Sequence, residues 1–196
     1  MMFKGRYNHS VDGKGRISLP ARFRESLVEY EPQFAENFPA ERQNKAERQN
    51  KAERQNTAEY QDKGKKEVYG VKKTDSNDRI VLTSALDSKF PHIDVFPFAK
   101  WAEFEQKVAA KPMFDDNIER LKRLYIASAQ ECQIDSHGRI LIPRRLRESS
   151  GIKKDAVWVG MTRTIELWHP DVWDAAEAEA LSQIVDVRKG LAGFDL

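Results

Sequence analysis

The sequence predicts an α+β fold made of two copies of one small β-rich unit with flanking helices. Three observations predict it. Residues 11–26 read VDGKGRISLPARFRES and recur at 134–149 as IDSHGRILIPRRLRES, without a gap, at an offset of 123 (134 minus 11). After each Asp-x-x-Gly, apolar residues alternate with a period of two, the spacing of a half-buried strand. A proline and a run of helix-forming residues then follow in both copies.

The repeat is too close to be accidental. Asp12, Gly15, Arg16, Ile17, Pro20, Arg22, Arg24, Glu25 and Ser26 align with Asp135, Gly138, Arg139, Ile140, Pro143, Arg145, Arg147, Glu148 and Ser149. Unrelated stretches of this length share on the order of one identity. A weaker match extends the repeat: DVFPFAKW at 94–101 resembles ELWHPDVW at 166–173, an offset of 72 that places Trp101 on Trp173. The offset falls by 51 (123 minus 72), so the first copy carries about that much additional chain. Much of it is a low-complexity hexapeptide tract at 40–61, AERQNK, AERQNK, AERQNT, AEYQ, with no large apolar stripe and little to bury. The first copy then spans 5–100, with the insertion at about 29–78. The second spans 129–172, and 173–196 form a C-terminal helix and tail.

Each element has a local reason. Asp12–Gly15 and Asp135–Gly138 place Asp first and Gly fourth, which favours a type I turn. Val11 before the turn and Ile17 and Leu19 after it, like Ile134, Ile140 and Ile142, suggest a hairpin with a half-buried return strand. Pro20 and Pro143 end those strands and open helices, in which Phe23 and Leu27 share one face. AVWVG (156–160) and TIELW (164–168) suggest a strand pair. Trp101, Phe104 and Val108 mark an amphipathic helix, as do Ile118, Leu121 and Tyr125 in the linker. Trp173, Ala180, Leu181 and Ile184 suggest a terminal one.

Composition excludes several functions. The net charge of +2 is too small to identify a partner, so any useful basic character is local. No apolar run is long enough to span a bilayer, and the start, MMFKGRYNHS, lacks the apolar stretch of a signal peptide. The lone Cys132 suits a reducing cytoplasm. His9, His92, His137 and His169 are scattered without metal-ligand spacing, and no phosphate loop is present, so neither a metal, a cofactor nor a small-molecule substrate is expected. Cys132 lies beside an apolar strand, where packing outweighs nucleophilic chemistry. No catalytic residue emerges.

Duplicated cations remain. Lys14, Arg16, Arg22 and Arg24 crowd one turn and its helix; His137, Arg139, Arg144, Arg145 and Arg147 crowd the other. The helix arginines could simply be a solvated face. Arg16 and Arg139 each follow the turn glycine at the rim of a hairpin, where a guanidinium can span phosphate oxygens or a guanine edge. A two-stranded ribbon fits the major groove. The DNA-contacting candidates are Lys14, Arg16, Arg22, Arg24 and Arg139, with Asp12, Gly15, Asp135 and Gly138 forming the turns.

The two DxxGR-(apolar)-x-(apolar)-P segments, together with MFKGRY at the start, RIVLTSALD (79–87), VFPFAKW, ASAQECQIDSHGRILIP (127–143) and IELW, resemble the MraZ family of bacterial transcription regulators. The resemblance covers nearly all of the chain outside about 29–78. It implies two pseudo-symmetric SpoVT-AbrB-type units, swapped-hairpin or double-psi-like β-barrels, assembled into ring-shaped homo-oligomers. It further implies binding to repeated boxes in double-stranded promoter DNA and repression of the division and cell-wall gene cluster, its own gene included. Arg16 and Arg139 fall on the turn arginines, Arg16 on the DNA-contacting one, and the protein is expected in the cytoplasm, at the nucleoid. The main alternative is an oligomeric AbrB-like scaffold or antitoxin-type module whose arginines hold a protein partner.

Overall fold

The computed structural model describes residues 2–28, 78–112 and 115–186; the hexapeptide tract lies outside them. The first repeat contributes β1 (Arg6–Ser10), β2 (Arg16–Ser18), α1 (Ala21–Val28), β3 (Arg79–Ser84), β4 (Ile93–Pro97) and α2 (Phe98–Ala109). A linker helix, α3 (Asp116–Leu124), and a short 3-10 turn (Ile126–Ser128) follow. The second repeat gives β5 (Gln130–Gln133), β6 (Arg139–Leu141), α4 (Arg144–Ser149), β7 (Asp155–Met161), β8 (Thr164–Trp168) and α5 (Pro170–Ser182). The same elements thus occur twice in the same order. The protein is of mixed α+β class with antiparallel sheets, and none of its described helices is long and apolar enough to cross a membrane.

The pairing interleaves the repeats. One six-stranded sheet runs β1-β7-β8-β4-β3-β5, and a separate ribbon pairs β2 with β6. Exchanging each strand for its repeat-mate (β1 with β5, β7 with β3, β8 with β4) reproduces the sheet order reversed. In the ribbon Ile17 lies opposite its own equivalent, Ile140. The local hairpin is therefore corrected in one respect. The turn closes as expected, with the Asp12 N–H donating to the Arg16 carbonyl and the Gly15 N–H to the Asp12 carbonyl, both at 2.8 Å. Its arms then part: β1 pairs with β7 and β2 with β6. A three-residue return strand offers little ladder of its own, and pairing with its equivalent buries Ile17 and Ile140 together.

The core lies between the large sheet and the ribbon. Ile17, Leu19, Phe23, Ile140, Ile142, Leu146, Ile80, Leu82, Ile93, Trp158 and Leu167 are all essentially inaccessible. Phe23 meets Phe3 and Tyr7 edge-on, with centroids 5.7 and 5.2 Å away, and so pins α1 to the N-terminal strand. Trp158 donates its indole N–H to the Ser18 carbonyl at 3.1 Å, joining sheet to ribbon. Cys132 is buried, and burial pushes its thiol up to about 11.

The flanking helices follow the sequence with two qualifications. In α2, Trp101 and Val108 are buried, and Trp101, Phe104, Phe96 and Tyr125 form an aromatic cluster. Helix α3 is capped by the Asp115 carboxylate, which accepts from the Asn117 and Ile118 N–H groups, but it buries no residue fully. In α5 the residues that pack are Val172, Trp173 and Ala176, against Val157, Val159 and Trp168. The terminal helix expected from Trp173, Ala180, Leu181 and Ile184 is present, but of these residues only Trp173 packs: Ala180 and Ile184 are exposed, and Leu181 is 61% exposed. The apolar contacts end at Ala176, and the next turn is held instead by a Lys89–Glu179 ion pair.

Candidate nucleic-acid interface

Each Asp-x-x-Gly-Arg turn is braced by its own acid. Asp12 Oδ1 accepts from the backbone N–H groups of Lys14 and Arg16, both at 2.9 Å. Its Oδ2 accepts from Arg16 Nε and Nη2 at 2.7 Å each. Asp135 does the same for the His137 and Arg139 N–H groups, and takes Arg139 Nε at 2.9 Å and Nη2 at 2.8 Å. The backbone and then the side chain of Arg16 hold the Asp12 carboxyl at about 2, below its ordinary 3.8. The Arg139 side chain, then its backbone, hold Asp135 at about 2 as well. The acid thus sets both the turn and the direction of the arginine, whose other edge faces outward. Arg16 and Arg139 side chains are 33% and 30% exposed. Lys14 and His137 are exposed at the two tips.

The turn glycines do two jobs. Gly15 (φ 84°) and Gly138 (φ 72°) adopt the left-handed conformation that side chains resist. Each also lies beneath an arginine of the other repeat. A Cβ on Gly15 would come within 2.9 Å of Arg147 Cζ, and one on Gly138 within 2.7 Å of Arg24 Cζ. The contact is reciprocal because Arg24 and Arg147 are repeat equivalents. Two backbone bonds reinforce it: the Leu19 N–H donates to the Gly138 carbonyl and the Ile142 N–H to the Gly15 carbonyl, both at 2.9 Å.

This regroups the cations. The sequence placed Arg24 with Lys14 and Arg16; the fold places it over the second turn, with His137 and Arg139. Arg147 takes the corresponding place over the first turn, held by a hydrogen bond from its Nε to the Ile142 carbonyl at 3.2 Å. Sequence reasoning left Arg147 out of the contact set, although its equivalence with Arg24 was the available signal. Arg22 stands apart, exposed beside Met2, Lys4, Glu25 and Ser26. Arg144 is paired with Glu148 at 2.7 Å.

The geometry defines a duplicated α+β protein that offers two acid-braced, cation-tipped turns, each completed by its neighbour's arginine. The family model described as "MraZ protein, putative antitoxin-like" matches residues 2–32 and 125–188, which include both turns. Over those residues the chain is similar to the MraZ family. It is similar to proteins named "Transcriptional regulator MraZ" from several bacteria. The protein of Desulforamulus reducens is 29% identical over 179 residues, 91% of this chain and 89% of its own. That of Moorella thermoacetica is 29% identical and that of Natranaerobius thermophilus 25%, each along the full length of both chains.

Proposed function

We propose that the protein is a sequence-specific DNA-binding transcriptional regulator rather than an enzyme. In this reading it represses the division and cell-wall gene cluster, its own gene included. The observation that carries it is the duplicated turn in which an acid aims an arginine outward beside an exposed cation, in a chain whose relatives are named transcriptional regulators. Arg16 and Arg139 keep donors on the edge turned away from their aspartates, the arrangement needed to meet phosphate oxygens or a guanine. Lys14, Arg22 and Arg24 complete the proposed contact set.

The finer architecture belongs to the same proposal. The units at 5–100 and 129–172 are swapped-hairpin, SpoVT-AbrB-type barrels followed by a C-terminal segment at 173–196; the cross-pairing of β1 with β7 and β5 with β3 supports that reading. One turn supplies few phosphate contacts, so tight binding requires several copies on one duplex. A ring-shaped homo-oligomer on repeated promoter boxes, acting at the nucleoid in the cytoplasm, meets that requirement.

The test is a gel shift of the purified protein on its own gene's upstream region against shuffled DNA of equal length. Specific retardation supports the proposal, and Arg16→Ala, confirmed folded by circular dichroism, weakens it by ~1–3 kcal/mol, the worth of a bidentate contact. Equal weak binding to both DNAs refutes it. That outcome favours the reading which the family's antitoxin-like description suggests, a module whose arginines hold an acidic protein segment.

A further inference from the structure

The seam between the repeats holds a polar cluster that DNA binding does not use. Strands β4 and β8 pair there with Asp94 directly opposite Glu166, two positions equivalent at the offset of 72. Like charges facing each other across a ladder repel and need a compensating cation. His92 lies between them. Its Nε2 is 3.3 Å from Asp94 Oδ1 and 3.9 Å from Glu166 Oε1, and the three side chains are only 9%, 19% and 16% exposed. The donor atoms all lie within 4.8 Å of one another.

We propose that His92, Asp94 and Glu166 bind one divalent first-row transition cation, Zn2+ by preference, and that the ion clamps the two repeats together. The atoms on the far side of each ligand are already engaged. His92 Nδ1 is 2.8 Å from the Phe90 carbonyl, which can only accept, so Nδ1 carries a proton and Nε2 is the nitrogen turned toward the two carboxylates, where a cation would take the place of a second proton. Asp94 Oδ2 accepts from the Tyr125 hydroxyl at 2.6 Å, and Glu166 Oε2 from the Trp168 indole at 2.9 Å. The His92 ring is stacked on Trp168, with centroids 3.8 Å apart and planes 13° from parallel, which fixes its orientation. Three lone-pair donors therefore converge, each backed by a hydrogen bond on its other side, as metal ligands are.

A proton on Nε2 is the competing occupant. A single N–H cannot reach both carboxylates, and 3.3 and 3.9 Å are long for charge-assisted bonds of about 2.7–2.9 Å. Adjacent ligands of a tetrahedral ion with bonds of 2.0–2.1 Å lie about 3.3 Å apart, which is the His92–Asp94 spacing, and the Glu166 side chain would close in from 3.9 Å. One imidazole nitrogen and two carboxylate oxygens suit zinc, with a water in the fourth position. Sequence spacing concealed the set, because Glu166 reaches the other two only through the β4–β8 pairing.

Zinc content tests this directly. The full chain, stripped with chelator and dialysed against micromolar Zn2+, should retain about one ion, with His92→Gln and Glu166→Gln each retaining none. Its Tm should rise by about 5 °C or more with Zn2+, and the variants' should not. Asp94→Asn, which keeps the ring and its stacking, provides a third variant, and Co2+ substitution of the wild type should give the visible bands of a tetrahedral N/O site. A wild-type chain that retains no zinc overturns the proposal. So does zinc retained equally by all three variants, which places the ion elsewhere.

Discussion

Replacing Gly15 with Ala should damage the first turn by two separable routes. At φ 84° an alanine pays about 1–2 kcal/mol for the left-handed conformation. Its Cβ would also lie 2.9–3.0 Å from the Arg147 guanidinium, forcing that side chain aside and breaking the Nε bond to the Ile142 carbonyl. A net hydrogen bond is worth about 0.5–1.5 kcal/mol, so the full loss is about 2–3 kcal/mol. In an Arg147→Ala background only the conformational part remains. Gly15→Ala should then cost about 1–2 kcal/mol, leaving a coupling of about 1 kcal/mol between positions 132 residues apart (147 minus 15). Urea unfolding of the four proteins at one concentration measures the cycle, and anisotropy on labelled promoter DNA reports whether the displaced arginine matters for binding. A Gly15→Ala protein as stable as the parent, or strictly additive substitutions, would refute the reasoning.

Other expectations follow from the same contacts. Phe23→Ala removes a fully buried ring and its edge contacts with Phe3 and Tyr7; it should cost ~3–5 kcal/mol in urea, and a loss below ~1 kcal/mol would contradict the packing. Cys132, with its thiol lifted to about 11, should react with a disulfide reagent at pH 8 at least ~100-fold more slowly in the native protein than in urea; equal rates would disprove its burial. Asp12 and Asp135 titrate lower in the folded protein, at about 2, than at their ordinary 3.8. Their stabilisation is full above that ordinary value and disappears as pH falls toward about 2. Asp12→Asn with Asp135→Asn should flatten the stability curve in that window, and an unchanged acid limb would show that the braces contribute nothing.

The turns, the helices after Pro20 and Pro143, and the β7–β8 pair were legible because each is specified by neighbours in sequence. Asp12 and Gly15 interact three residues apart, and Phe23 and Leu27 four. The offset of 72 correctly joined β4–α2 to β8–α5, since Asp94 and Trp101 do occupy the places of Glu166 and Trp173. Partner choice was not legible. An alternating strand carries the same pattern whether it pairs with its own hairpin arm or with the equivalent strand of the other repeat, so the Ile17–Ile140 ribbon left no local mark. For the same reason Arg24 was assigned to the wrong turn. The helix α5 was legible, but not which of its residues pack, because helical periodicity shows which residues align, not how far along the helix its partner extends.

The cross-pairing has a consequence for how the two turns act. β2 and β6 are three residues each, too short to persist as isolated strands, and each is completed by the other. The carbonyl of each turn glycine accepts a hydrogen bond from the other repeat, and each glycine is covered by the other repeat's arginine. The shape of one cationic tip is therefore fixed by residues some 120 positions away, and neither repeat holds a complete tip by itself. In sequence the insertion enters between α1 and β3, outside both turns and the β2–β6 ribbon. A long addition at that point leaves every cross-repeat bond described above between the same partners. That is a physical reason why the first repeat can carry so much extra chain while its turn keeps the same hydrogen bonds as the second.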